Sequence, residues 1–507
     1  MKEKSNAYKA VHDISRNSTL LEGISHHLGW DQETYMPPGH ASIRAEQLKL
    51  LAGLVHKEKT SKTFETALNK LINVKTGKIL TKTLTPEQAR SAELWRRDFI
   101  NEKALPNRFV EDFAKLKSQA LEAWRHARQE NAFSHFAPFL DKIVGMNRRM
   151  ADYFGYKTTA YDALMDHYEP DLTTKVVDKV FCELRGATVD LLKKIQSKKQ
   201  VNDQFLHGDF PEEKQMIFVK KMLSDVGYHP DTGRLDISTH PFSHSTHPTD
   251  VRITTRVNPK YAMANIFGAL HEVGHGMYEL GLPVEHYGSP LAQPNSLGIH
   301  ESQSRWWETR IGHCKAYWEH YLPLLKKQFP DVLKKNQLDA FYKAINKVQP
   351  TFIRVEADEV TYNMHVILRY EIEKGLIDGS LKVRDVPEAW NAKMVELLGI
   401  KPKTNTLGCL QDVHWSMGAM GYFPTYTLGT MFASHLFQGF EKKHPDWEKR
   451  VAKGELLFIR EWLQQNIHCH GRRYSSLELL KKATGKEFSA KAFINYLNNK
   501  YSDIYGI

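Results

Sequence analysis

Cysteine is scarce: Cys182, Cys314, Cys409 and Cys469 are the only four in 507 residues, and none belongs to a Cys-x-x-Cys pair. That excludes a disulfide-stapled scaffold and a thiolate metal site, and it makes reduced thiols in a cytoplasmic protein the expectation. Long apolar runs are lacking too. The nearest, Gly421 to Phe437, contains Pro424, several hydroxyls and His435, so it reads as buried wall rather than a membrane span. Met1 to Ser15 is polar and has no apolar stretch of the kind a secretory signal needs. No internal repeat and no Gly/Ser/Pro-rich linker divides the chain. Blocks of like charge are missing as well: the net charge is +11, yet basic and acidic residues alternate along nearly every helical stretch, which argues against a nucleic-acid partner. The remainder is ordinary globular composition, 41% hydrophobic and 25% charged, for which length alone suggests roughly two to four domains.

One further absence is local. From Tyr261 to Gly281 there is no Lys or Arg, although the chain has 70 of them, and this stretch holds His271-Glu272-Val273-Gly274-His275. Asn258 and Pro259 predict a helix start and Gly281 its end. On that helix the two imidazoles, four residues apart, share a face, while Ile266, Leu270, Val273 and Met277 form the opposite, core-facing side. Two imidazoles so spaced can share one zinc ion, and Glu272 can stand beside the water instead of on the metal. Gly268, Gly274 and Gly276 each sacrifice roughly 1 kcal/mol of helix propensity relative to Ala, which implies close approach to the backbone.

A catalytic zinc needs a third protein ligand. The metzincin solution is excluded, because Gly281 stands where its third His is required and Tyr278 where its Gly is. Glu279, Glu285, Glu301 and Glu308 are the candidate carboxylates. Glu301 is preferred, opening the next helix between polar His300, Ser302 and Gln303; the competing account makes it a simple carboxylate near a helix N-terminus.

Elsewhere the pattern is helical. Segments are expected from Asn6 to Lys75, broken at Met36-Pro37-Pro38-Gly39, and from Thr85 to Tyr156, where Pro86 and Pro106 open helices and Phe109, Phe113, Leu116, Ala120 and Trp124 recur at core spacing. Further helices are predicted over Thr173–Gln200, Pro211–Val226, Leu338–Val348, Phe352–Lys374 and Val386–Leu398. Leu235–Phe242 and Asp250–Thr255 alternate β-branched and polar residues, predicting a short antiparallel hairpin before the metal helix, an edge suited to an extended peptide. His240, His244 and His247 fall in this region, but their spacing fits no tight metal pattern.

These motifs carry a resemblance. His271–His275 and His300-Glu301-Ser302-Gln303 are joined by His240-Pro241-Phe242, Asp250-Val251-Arg252-Ile253-Thr254, Ile353-Arg354-Val355-Glu356-Ala357-Asp358 and Gly408-Cys409-Leu410-Gln411-Asp412-Val413-His414-Trp415, in one order. Together they resemble the M32 family of metallocarboxypeptidases, typified by thermostable carboxypeptidase 1, over essentially the whole chain. The resemblance implies a mainly α, saddle-like single domain over residues 1–507, with two helical lobes flanking a deep central groove, similar to neurolysin and the angiotensin-converting enzyme. It also implies a homodimer and release of C-terminal residues one at a time, so the multidomain expectation yields.

On this reading His271, His275 and Glu301 hold one zinc ion per chain, for which cobalt or another divalent ion can substitute, and Glu272 is the general base. The substrate is a peptide with a free C-terminal carboxylate, received by Arg354, whose planar fork meets two oxygens at once. Arg354 lies among Phe352, Ile353 and Val355, and an internal ion pair with Glu356 or Asp358 is its alternative. His414, with Tyr422 or Tyr426, is a candidate oxyanion donor, and Asp412 orients its neighbours. His240 and Arg252 line the groove by resemblance, although Arg252 can equally tie the hairpin to a helix. Trp306, Trp307 and Trp415 are assigned to the core. An oligopeptidase or dipeptidyl carboxypeptidase is the nearest alternative. A basic helical binding protein with a structural metal is the other, and the sequence offers it no obvious fourth ligand.

Overall fold

Helix boundaries follow local chemistry. Thr85 and Gln88 exchange side-chain-to-backbone hydrogen bonds at the head of the helix Pro86–Ala104, and Pro86 brings a preset φ to its first turn. Pro106 precedes the helix Asn107–Gln129, which buries Phe109, Phe113 and Ala120 at the predicted spacing. A long first helix, Lys2–Thr34, stops before Pro37, and the chain resumes as Ala41–Thr60. This computed structural model describes residues 2–335 and 337–507, with side chains from residue 7 onward. The fold is mainly helical, 68% helix against 4% strand. Among the described residues no helix is long and apolar enough to cross a membrane.

Two apolar clusters organise these helices. A small one joins Val11, Phe64, Leu68, Trp95 and Phe99 from the N-terminal helices. The large one runs from Phe109 to Tyr505 and encloses Trp306, Trp307 and Trp415, as their assignment to the core requires. Burying each such side chain contributes about 1.5–3 kcal/mol, so the helices that carry the site rest on the larger cluster.

The strands differ in detail from the expected hairpin. β1 (Gly233–Ile237), β2 (Ser243–His247) and β3 (Asp250–Thr255) form one sheet with β3 in the middle. The antiparallel partner of β3 is β2, with His244 opposite Arg252, whereas β1 lies on its other side in parallel register, Leu235 opposite Ile253. Pro241, which has no N–H to give a ladder, sits in the intervening loop, where Ser238 Oγ donates to Thr254 Oγ1 (2.7 Å) and Thr254 N to Phe242 O (2.8 Å). Pro248 and Thr249 make the short turn that closes the true hairpin.

The helix bearing both histidines spans Ala262–Leu280, starting later than Asn258-Pro259 suggested. The carbonyls of Pro259 and Lys260 accept from Phe210 N and Gly208 N, so this turn is tied to a neighbouring segment instead of entering the helix. Gly281 caps its end as predicted. The glutamate helix, Leu297–Arg305, begins where Ser296 Oγ accepts from Ile299 N (3.0 Å) and lies against both the histidine helix and the helix Pro424–Lys443.

Of the three glycines read as marks of close approach, Gly274 is where the backbones nearly touch. A Cβ there would meet the Gln303 carbonyl and stand 2.6 Å from Ser304 Cα. Gly276 faces Ile253 at 3.2 Å, but Gly268 has only Thr255 Oγ1 at 4.0 Å and is not explained by crowding. Gly274→Ala gains about 1 kcal/mol of helix propensity but forces two backbones apart, an overpacking cost of about 1–3 kcal/mol. Net destabilisation in denaturant titration, accompanied by weaker metal uptake, is expected.

Candidate metal centre

The histidine helix presents its back to the core, with Ile266, Leu270, Val273 and Met277 buried, and its imidazoles to the glutamate helix. Room for the Glu301 side chain is made by Gly429 on the helix Pro424–Lys443, where a Cβ would sit 2.5 Å from both Glu301 Cβ and Cγ. Ser304 Oγ donates to Glu301 Oε2 at 3.0 Å and fixes the carboxylate's rotation. His271 Nε2 and His275 Nε2 then lie 3.7 and 3.5 Å from that same oxygen. A tetrahedral site with bonds near 2.0–2.1 Å has edges of about 3.3 Å, so the three donors fit a single divalent ion.

Hydrogen bonds fix which imidazole nitrogen is free. His271 Nδ1–H donates to Glu308 Oε2 at 2.8 Å, which turns Nε2 toward Glu301. On the other side His300 Nε2–H donates to Glu279 Oε1 (2.9 Å), so His300 Nδ1 accepts from His275 Nδ1–H (2.5 Å). His275 Nε2 is thereby unprotonated and turned inward. Two of the rejected third-ligand candidates, Glu279 and Glu308, thus hold the tautomers. Glu308 lies in the π-helical turn Trp306–Gly312, whose broader coil follows directly on the glutamate helix. Despite its burial, Arg305 at 2.8 Å and the His271 hydrogen bond hold Glu308 down to about 2, a permanent carboxylate.

Glu272 is buried beside this cluster, and burial pushes its carboxyl up to about 7, against the influence of His271. A carboxyl with that proton affinity can both accept and release a proton near neutrality.

A second charged group lies nearby. Arg354 is buried in a short turn, Arg354–Glu356, ahead of the helix Tyr362–Asp378 rather than on one continuous helix from Phe352. Its partner is neither Glu356 nor Asp358. Arg354 Nη2 donates to Asp412 Oδ1 (2.9 Å) and Nη1 to Tyr362 Oη (3.0 Å), while Gln411 Oε1 accepts from its backbone N (2.8 Å). Asp358 instead accepts from the N–H groups of Val360 and Thr361 at the start of the following helix. Asp412 also accepts from Arg369 Nε (2.6 Å), so one carboxylate serves two guanidiniums and one positive charge is left over. Despite its burial, those arginines hold Asp412 far below the usual carboxylate range, and burial pushes the nearby His414 imidazole down to about 4.

His414 Nε2 is 3.2 Å from Tyr426 Oη, and the rings of Tyr422 and Tyr426 are 5.3 Å apart. Burial raises the pKa of both phenols, and the Glu301 carboxylate adds to the rise, which puts them within its electrostatic reach. His240 and Arg252 have no hydrogen bond to this group among the described residues. His240 is exposed, whereas Arg252 binds Asp250 (2.8 Å) and stacks over Trp30 at 4.5 Å, tying the sheet to the first helix. Arg305, Arg369 and Gly429 were missed by sequence reasoning. A charge directly after Val366-Ile367-Leu368 and a glycine inside Pro424–Lys443 were the available signals for Arg369 and Gly429.

Glu308→Gln keeps the shape but removes the charge that polarises His271. Changes to such outer partners typically cost roughly 10–100-fold in metal affinity, and a loss in that range is expected in competition with a chelating dye.

Comparison with known proteins identifies the family of the whole chain. Residues 10–501 match the family model of the carboxypeptidase Taq (M32) metallopeptidases. The chain is 38% identical over 493 residues to carboxypeptidase 1 of Bacillus subtilis, covering 96% of this chain and 97% of that protein. It is 37% identical over 510 residues to thermostable carboxypeptidase 1 of Thermus thermophilus, with 99% of each covered. The crystal structure of the M32 carboxypeptidase from Deinococcus radiodurans superposes with a TM-score of 0.96 at 34% identity, over 99% of this chain and 100% of that one. With its helical architecture and nearly its whole length in common with them, the chain belongs to the M32 family of metallocarboxypeptidases.

Proposed function

We propose that this peptide hydrolase is a zinc carboxypeptidase that removes C-terminal residues singly, with His271, His275 and Glu301 as the metal ligands and Glu272 as the general base. When bound, the ion supplies Lewis acidity to the scissile carbonyl and to a water molecule. Glu272 takes the proton of the attacking water on a carboxylate oxygen and delivers it to the departing amine nitrogen. Arg354 orients the substrate by its terminal carboxylate, through N–H groups not committed to Asp412 and Tyr362. His414, Tyr422 and Tyr426 stand as hydrogen-bond donors around the reacting carbonyl. His240 and Arg252 are carried as groove residues on resemblance alone.

The observation that carries the exopeptidase reading is the charge left over at Asp412. One buried carboxylate facing Arg354 and Arg369 leaves a site that gains from an anion, and a peptide's free C-terminus is that anion. The same reading retains a single domain of two lobes, a homodimer and a cytoplasmic setting, with which four unpaired thiols are compatible.

A blocked decapeptide digested and followed by mass spectrometry should yield a ladder shortened from the C-terminus; internal fragments would favour an oligopeptidase. Glu272→Gln is expected to keep its metal, checked by elemental analysis, while turnover falls about 10²–10⁴-fold. Arg354→Ala should erase the preference for a free acid over the matching C-terminal amide, with kcat/KM for the acid falling roughly 10²-fold. Undiminished preference would remove Arg354 from this role.

A further inference from the structure

A second set of imidazole and carboxylate donors gathers far along the chain from the centre described above. The helix Asn107–Gln129 carries His126 in its last turn, Glu130 caps that helix, and His135 stands in the first turn of the next, Phe133–Phe154. His126 Nε2 is 3.1 Å from Glu130 Oε1, and His135 Nδ1 is 3.3 Å from Glu130 Oε2. The two rings face each other with centroids 5.1 Å apart. Each residue offers a donor atom, and these atoms all lie within 4.8 Å of one another, as in the His271, His275 and Glu301 group.

The backbone under these donors is fixed. Asn131 turns the chain with φ 55°, and Ala132 N donates to Ala127 O at 2.8 Å. Thr406 N donates to Asn131 Oδ1 (3.1 Å) and Thr406 Oγ1 to Arg128 O (2.8 Å), clamping the turn from outside. Little chain entropy is therefore lost when an ion binds. Imidazole with carboxylate suits zinc, nickel or copper, and disfavours calcium and magnesium, which prefer all-oxygen shells.

We propose that His126, Glu130 and His135 form a second site for a divalent transition-metal ion. All three side chains are solvent-exposed, so water completes the shell and the ion exchanges freely. The turn it clips also supports the segment leading to Asp412: besides the Thr406 contacts, Trp124 Nε1 donates to Leu410 O at 3.0 Å. The ion therefore stiffens the outer support of the Arg354 pocket.

The test is a Zn2+ titration of the metal-stripped full chain, followed by calorimetry and a competing dye, for the wild type and a His126→Gln/His135→Gln variant. The wild type is expected to take up one equivalent more than the variant, and added Zn2+ should raise its unfolding temperature further. Because the readout is a difference, it does not depend on what His271, His275 and Glu301 bind. Equal uptake by two proteins with matching circular dichroism overturns the proposal. Should the double variant misfold, Glu130→Gln serves instead: the extra equivalent should bind about tenfold more weakly or worse, and unchanged affinity overturns the proposal equally.

Discussion

The centre depends on two helices crossing closer than ordinary side chains permit. Two donors come from one helix at a spacing of four residues and the third from a neighbour, so the axes must approach until a single oxygen lies within 3.7 Å of both imidazoles. Gly274 allows the approach from one side and Gly429 from the other, the latter by leaving the space that Glu301 occupies. Each glycine gives up helix propensity, and each does so where backbone or a buried carboxylate fills the space.

Around this crossing the Nδ1 atoms of both imidazoles are engaged outward, with Glu308 on one side and through His300 with Glu279 on the other, so both Nε2 atoms face Glu301. The outer groups also join the centre to the Arg354 pocket. Arg305 pairs with Glu308 and lies over the Tyr362 ring at 5.3 Å, and Tyr362 Oη in turn accepts from Arg354. The metal centre and the proposed carboxylate pocket therefore share one buried wall, and a change in Arg305 or Tyr362 reaches both.

Much of this was legible in the sequence, for identifiable reasons. The helix with two histidines, the later glutamate and the helix start at Thr85 are local patterns, set by a period of 3.6 residues and by capping chemistry. What escaped depends on partners distant in the chain. Nothing near Leu235 says that β1 pairs in parallel; the turn that closes β2 onto β3 decides it. The late start of the histidine helix comes from Gly208 and Phe210 drawing on its preceding carbonyls. Glu308 read as a spare carboxylate because the π-helical turn that aims it at His271 has no signature in residue spacing. Glu356 and Asp358 were the partners that sequence proximity offered Arg354, but its ion pair lies 58 residues away at Asp412.

The bridging of two guanidiniums by Asp412 has a consequence for the resting protein. Arg354 and Arg369 are like charges that the single carboxylate between them offsets only in part, so their mutual repulsion favours the approach of a second anion. On the proposed reading a peptide's terminal carboxylate is that second anion, so part of a substrate's affinity would come from repulsion already present in the free protein.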